Sequence, residues 1–181
     1  MSDKKWKVVK RKAIFKSKFL TLFKDSVRTH NGNTMDDYFL IKRRDFVIIV
    51  ATDSSGRILT KREYRHGSGE FELSLPAGMI EKGDSLIDAA RRELREETGI
   101  TKGAFKYVGV SNNDASRDMH KGFVIRVTNA GNPARQKLEK HEIINKAKFM
   151  PAAELKKLIL SGKMREGPSL AALMLSGIFM R

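Results

Sequence analysis

The chain has 181 residues, enough for one domain or one domain with a small extension, and its 40% hydrophobic content is enough for a real core. Thirty-six Lys and Arg against 21 Asp and Glu give a formal net charge of +15, which favours anionic partners: phosphates, nucleic acid or a membrane surface. The absence of cysteine excludes disulfides, thiolate catalysis and Cys-ligated zinc, and fits a reducing, cytoplasmic setting. The basic N-terminus lacks the apolar run of a secretory signal, and the apolar stretch 170–180 is too short to span a bilayer, so a soluble protein is expected.

In chain order, residues 6–15 and 19–28 carry branched and aromatic residues and read as strands. His30-Asn31-Gly32-Asn33 is a turn signal, because Asn-Gly tolerates positive φ, and 37–42 returns as the second arm. Residues 46–52 form a short, almost continuously apolar run, as in a strand buried on both faces. Asp53-Ser54-Ser55-Gly56 turns the chain into a strand at 57–64, and 71–75 is another, stopped by Pro76. Residues 85–98 are the clearest helix. Ser85 caps it with Asp88 as the reciprocal acid, Leu86, Ala89, Ala90 and Leu94 form its apolar stripe, and Gly99 ends it. Strands follow at 105–110 and 122–128, then a polar loop over 129–140, a strand at 143–150, and helices at 151–161 and 168–180. Strands mixed with segregated helices indicate an α+β fold, or a sheet sandwiched between helices. Residues 1–45 form a β-rich extension and 46–181 the main domain.

On the helix, Glu93, Glu96 and Glu97 stand at i, i+3 and i+4 and share one face. Carboxylates so close raise one another's pKa unless a cation intervenes, and a hard divalent ion, Mg²⁺ or Mn²⁺, is the natural partner. An ordinary solvated face paired with Arg91, Arg92 and Arg95 would look the same in isolation. The context differs: the acids are local in a basic chain, and Leu75-Pro76-Ala77-Gly78 leads a strand towards the helix, with Gly78 permitting close backbone approach.

Gly78, five residues, Asp84, seven residues, then Arg92-Glu93-Leu94-Arg95-Glu96-Glu97-Thr98-Gly99-Ile100 resembles the Nudix box, G-x5-E-x7-R-E-U-x-E-E-x-G-U. The one departure is Asp84, where that family has Glu. The resemblance implies a Nudix fold, a mixed sheet between helices, and hydrolysis of a diphosphate linked to another group. It implies Glu93 and Glu97 as main metal ligands, Glu96 assisting, the Ala77 carbonyl completing the site, and Arg92 bracing the carboxylates.

Arg62-Glu63-Tyr64-Arg65 ahead of Leu75-Pro76-Ala77-Gly78 is similar to the strand-loop of ADP-ribose and nucleoside-diphosphate-sugar pyrophosphatases. That similarity implies Arg65 at the diphosphate or the terminal ribose, with Arg62 and Gly78 also lining the substrate. It also implies that the N-terminal extension forms a homodimer and part of a base pocket, with Phe19, Phe23 or Trp6 stacking on an adenine. Ser74, where that subclass has Glu, and the Pro-free stretch 111–118 point to a range of nucleoside diphosphate sugars rather than ADP-ribose alone. For the general base, Glu142 and Glu139 occupy the place of the subclass's acidic segment, with His141 and His120 as alternatives. Rival readings are a Nudix enzyme for RNA 5′ ends or nucleoside triphosphates, and a nonenzymatic nucleotide-binding module. The basic charge also implies nonspecific nucleic-acid affinity.

Overall fold

The computed structural model describes residues 5–138, 140 and 142–180. They fall into two compact units, Met1–Arg44 with Asn112–Lys121, and Asp45–Ser111 with Gly122–Arg181.

The first unit is an antiparallel meander of β1 (Lys7–Lys16), β2 (Thr21–Arg28) and β3 (Thr34–Lys42). The β2–β3 turn comes at the expected Asn-Gly, where Gly32 takes φ 89° and Thr29 N–H donates to the Asn33 carbonyl at 2.8 Å. Asp25, 1% exposed, receives two bonds from Arg11, at 2.8 and 2.7 Å. Every residue of β1 is exposed, Val8, Val9, Ile14 and Phe15 among them. The segment Asn112–Lys121 adds to this unit through Ile41, which donates to the Arg117 carbonyl and accepts from Met119 N–H at 2.8 and 2.9 Å.

In the second unit, β4 (Phe46–Ala51) is the centre of the core, as its unbroken apolar run demands. It pairs antiparallel with β7 (Ala77–Met79) and parallel with β9 (Gly122–Thr128), which pairs antiparallel with β8 (Ala104–Ser111). β5 (Ile58–Arg65) is the middle of a smaller antiparallel sheet between β6 (Glu70–Ser74) and β10 (Lys148–Met150). Three helices complete the unit: α1 (Leu86–Thr98), α2 (Ala152–Leu160) and α3 (Gly167–Leu175).

Successive strand side chains point to opposite faces, so β4 feeds two cores. Val47, Ile49 and Ala51 pack with Ala89, Ala90 and Leu94 of α1, while Ile48 and Val50 pack with Leu155 of α2 and Ala172 and Leu173 of α3. The sheet is therefore sandwiched between helices. Among the described residues no helix is long and apolar enough to cross a membrane.

Three elements differ from the sequence reading. Residues 77–79 form β7 rather than a turn, because Pro76 ends β6 and lets the chain step from the smaller sheet to the larger one. The strand expected over 143–150 shrinks to β10. Among the described residues upstream of it, a single bridge, Glu63 to Ile144, ties the chain to β5. The last helix stops at Leu175, where Ser176 and Gly177 follow, the latter at φ 66°.

The turn between β4 and β5 rests on Asp53. Its carboxylate accepts from Ser55 N–H and Arg57 N–H, both at 2.9 Å, and from Arg57 Nε at 2.7 Å. Burial opposes the charge, but these bonds outweigh it and hold the carboxyl below its ordinary value. A lowered carboxylate pKa stabilises the fold above the unfolded-state value, and the gain is lost as pH falls through the folded one. Asp53→Ala is therefore expected to cost about 1–2 kcal/mol at pH 7 in urea unfolding. The gap to wild type should narrow as pH falls below the ordinary carboxylate range, and a gap that stays constant into acid would contradict the assignment.

Candidate active site

Helix α1 begins and ends as its residues require. Ser85 Oγ accepts from Asp88 N–H at 3.1 Å and donates to the Asp88 carboxylate at 2.6 Å. Gly99, at φ 73°, sends its N–H to the Arg95 carbonyl at 2.8 Å. The following chain satisfies the exposed carbonyls of the last turn. Ala134 N–H donates to Thr98 O, Lys137 N–H to Glu96 O, and the Gln136 amide to Glu97 O at 2.6 Å. Residues 134–137 are thus strapped to the helix end just before the acidic segment that contains Glu142.

The helix packs Ala89, Ala90 and Leu94 inward, which turns Glu93, Glu96 and Glu97 towards β5 and β7. Arg92 braces them. One guanidinium nitrogen bonds Glu93 at 2.7 Å and Glu96 at 3.4 Å, and the other bonds the Met79 carbonyl at 2.8 Å and Asp84 at 3.3 Å. The shorter acid at position 84 therefore still reaches the arginine. Burial works against the Arg92 charge, but the attraction of Glu93 and its neighbours raises its pKa.

Glu97 is 3% exposed. One of its oxygens accepts from Ala77 N–H at 3.2 Å and the other is bonded by the Lys61 ammonium. Burial pushes the Glu97 carboxyl up to about 7, against the opposing pull of Lys61. Glu93 is also raised, mainly by burial and further by Glu96 and Glu142, with Arg92 pulling the other way. That effect puts the Glu142 charge within electrostatic reach of Glu93. Gly78 lies directly against Glu93, and a Cβ there would overlap its carboxylate. The glycine is needed for this close approach, not for a special dihedral angle.

The strand β5 contributes what sequence reasoning missed. Leu59 belongs to the α1-side core, so Lys61, Glu63 and Arg65 at alternate positions face the same way. Lys61 is fully buried between Glu63, at 2.7 Å, and Glu97, and Arg65 bonds the other Glu63 oxygen at 2.7 Å. A lysine at a core position of a period-two strand was the available signal. Arg62, by the same alternation, lies on the opposite face, exposed and bonded to the Phe71 carbonyl at 3.2 Å, so it is not brought to the cluster.

The remaining sequence candidates are distributed as follows. Glu139 and His141 lie outside the described residues. His120 is buried in the first unit, 3.8 Å from Asp118, rather than at the surface. Phe19 and Trp6, in that same unit, are exposed rather than core: Lys18 lies over the Phe19 ring, and Trp6 packs edge-on to Tyr38.

Lys61, Arg65 and Arg92 link Glu63, Asp84, Glu93, Glu96 and Glu97 into one acidic cluster. Carboxylate oxygens are the donors that hard divalent cations take. Glu93, Glu96 and Glu97 have the donor chemistry that fits a divalent cation, while among the described residues no three such side chains converge on one point.

The chain matches the family model "NUDIX domain" over residues 42–173. It belongs to the NUDIX domain family. Residues 6–41 of this Nudix chain match the "Nucleoside diphosphate sugar hydrolase N-terminal domain". The chain is similar to the ADP-ribose pyrophosphatase of Bacillus subtilis (strain 168), 30% identical over 95 residues, 52% of this chain and 51% of that protein. It is also similar to the ADP compounds hydrolase NudE of Escherichia coli (strain K12), 42% identical over 57 residues, 32% of this chain and 30% of that protein. The matched regions thus span about half or less of these relatives. Its fold matches a crystal structure of an ADP compounds hydrolase with a TM-score of 0.80 at 20% identity, covering 97% of this chain and 94% of that one.

Proposed function

We propose that this chain is a metal-dependent pyrophosphohydrolase acting on ADP-ribose and related nucleoside diphosphate sugars, yielding a nucleoside monophosphate and a sugar phosphate. The observation that carries the reading is the braced acidic face of α1, with Glu93 and Glu97 buried against Gly78 and β5. The match of residues 6–41 and the names of the two relatives support the substrate class.

In this reading Glu93 and Glu97 hold Mg²⁺ or Mn²⁺, with Glu96 and the Ala77 carbonyl assisting. The bound ion would neutralise diphosphate charge and acidify an attacking water. Arg92 keeps the carboxylates aimed, since its bonds to Glu93, Glu96, Asp84 and the Met79 carbonyl leave little freedom. Arg65, half-exposed and tethered to Glu63, offers its remaining donors to a diphosphate oxygen. Glu142 is the preferred general base: it adjoins Ile143, whose carbonyl accepts from Tyr64 N–H at 3.0 Å, and its charge already acts on Glu93. Glu139 is the second candidate by sequence.

The N-terminal unit is read as a homodimerisation element, with Phe19 retained as a candidate for adenine stacking. An all-exposed β1 bearing Val8, Val9, Ile14 and Phe15 is costly in water unless a partner covers it.

The direct test is product release from ADP-ribose, UDP-glucose, GDP-mannose, NADH, a nucleoside triphosphate and 5′-triphosphate RNA, with Mg²⁺ or Mn²⁺ and with chelator. AMP from ADP-ribose, or a nucleoside monophosphate from a related sugar, is expected only with metal. Preference for RNA or a triphosphate would overturn the substrate class, and binding without turnover would overturn the enzymatic reading.

A further inference from the structure

Lys61 has no place in the chemistry above, yet its ammonium is enclosed at 0% exposure among the carboxylates. It bonds Glu63 at 2.7 Å and also Glu97, while Arg65 holds the far oxygen of Glu63. An unbroken ionic chain therefore runs from Arg65 through Glu63 and Lys61 to Glu97, and ends on Ala77 N–H.

We propose that Lys61 is a resident counter-cation of this site: its ammonium holds the ground between Glu63 and Glu97 that a divalent ion would otherwise take, and so limits how tightly, and in what number, cations bind before substrate arrives. The inference rests on the reading of Glu97 as a metal ligand. Two carboxylates either side of one buried position make a place for a cation in any chain. Here the chain supplies that cation itself. A divalent ion on the same oxygens would meet a positive charge that full enclosure prevents from swinging out to water. The approach left to the ion is the Glu97 oxygen facing Ala77 N–H, whose 3.2 Å bond lies at the long end for an N–H···O bond. Lys61 is a positioning residue in this role. It sets which Glu97 oxygen is free, and it keeps Glu63 and Glu97 together when no metal is bound.

The sequence carries the same message. An ordinary core strand would place an aliphatic residue at position 61, after Leu59, and an ammonium there is tolerated only with its charge matched. Two acids meet it, from β5 itself and from α1.

The test is Mn²⁺ titration of the full chain, counting free ion by electron paramagnetic resonance, with Mn²⁺-induced thermal shift alongside. Lys61→Met is expected to bind Mn²⁺ at least ~10-fold more tightly than wild type, with a larger thermal shift and up to one more ion per chain. Lys61→Arg, which keeps the charge, should stay close to wild type. Should Lys61→Met fail to fold without metal, Lys61→Met/Glu63→Gln decides. It removes a cation and an anion together, so net charge is unchanged and any gain reports the freed Glu97 oxygen. Equal or weaker Mn²⁺ binding in a folded Lys61→Met, or in the double variant when that one decides, overturns the proposal. Glu97→Gln in the same titration separates the two readings. If it leaves wild-type Mn²⁺ binding intact, the metal-ligand reading of α1 fails. If it weakens binding while the Lys61 variants change nothing, only the role of Lys61 fails.

Discussion

Glu97→Gln is expected to lower turnover of the best nucleoside diphosphate sugar by ~10³-fold or more, while substrate affinity changes only a few-fold. The amide cannot supply the charge that holds a divalent ion, so the loss falls on the chemical step. Binding of base and sugar depends on other groups. The fold should survive with a lowered unfolding midpoint, because the neutral amide leaves the fully buried Lys61 ammonium with Glu63 as its remaining acid. The pairing of a lost kcat with a still cooperative unfolding transition is the signature, read by steady-state kinetics and thermal unfolding on one preparation. Near-wild-type kcat would refute the assignment of Glu97, and loss of the cooperative transition would recast the residue as structural.

The second large effect is expected at Gly78, a residue with no functional group. A methyl group there would occupy the space of the Glu93 carboxylate. The carboxylate cannot shift without loosening its 2.7 Å bond to Arg92, and through Arg92 the bonds to Glu96, Asp84 and the Met79 carbonyl. Gly78→Ala should therefore cut kcat by ~10²-fold and weaken Mn²⁺ binding, at a stability cost of about 1–3 kcal/mol. Gly67, in a turn where a Cβ would meet nothing, is the control: Gly67→Ala should leave kinetics unchanged. If both variants behave alike, the close approach at Gly78 does not control the carboxylate.

The two predictions differ in how far they could be read without coordinates. The acidic face at 93, 96 and 97 is a local property, because three residues at i, i+3 and i+4 on one helix share a side whatever surrounds them. The caps at Ser85 and Gly99 are equally local, and so is the double burial of β4, which its apolar run announces. The sandwich of helices around the sheet follows from that run, since a strand apolar on both sides needs cover on both.

What sequence reasoning could not reach depends on partners distant in the chain. Strand alternation puts Arg62 and Arg65 on opposite faces of β5, but only the placement of Leu59 in the α1-side core and the Lys61–Glu97 contact decide that the face of Arg65 meets the acids. Asn112–Lys121 reads as a loop between two strands, yet it joins the N-terminal sheet through bonds to Ile41. Lys61 stands at a core position of the β5 pattern, but the pattern does not name its partners. Only the packing of β5 against α1 makes it the buried partner of Glu63 and Glu97. The sequence by itself determined the capped helix at 85–98, its acidic face and the family pattern, because these rest on spacing along one continuous element. The tertiary structure alone decided which strand residues meet that helix, because strand faces and buried charge pairs are set by contacts between segments whose separation along the chain carries no such signal.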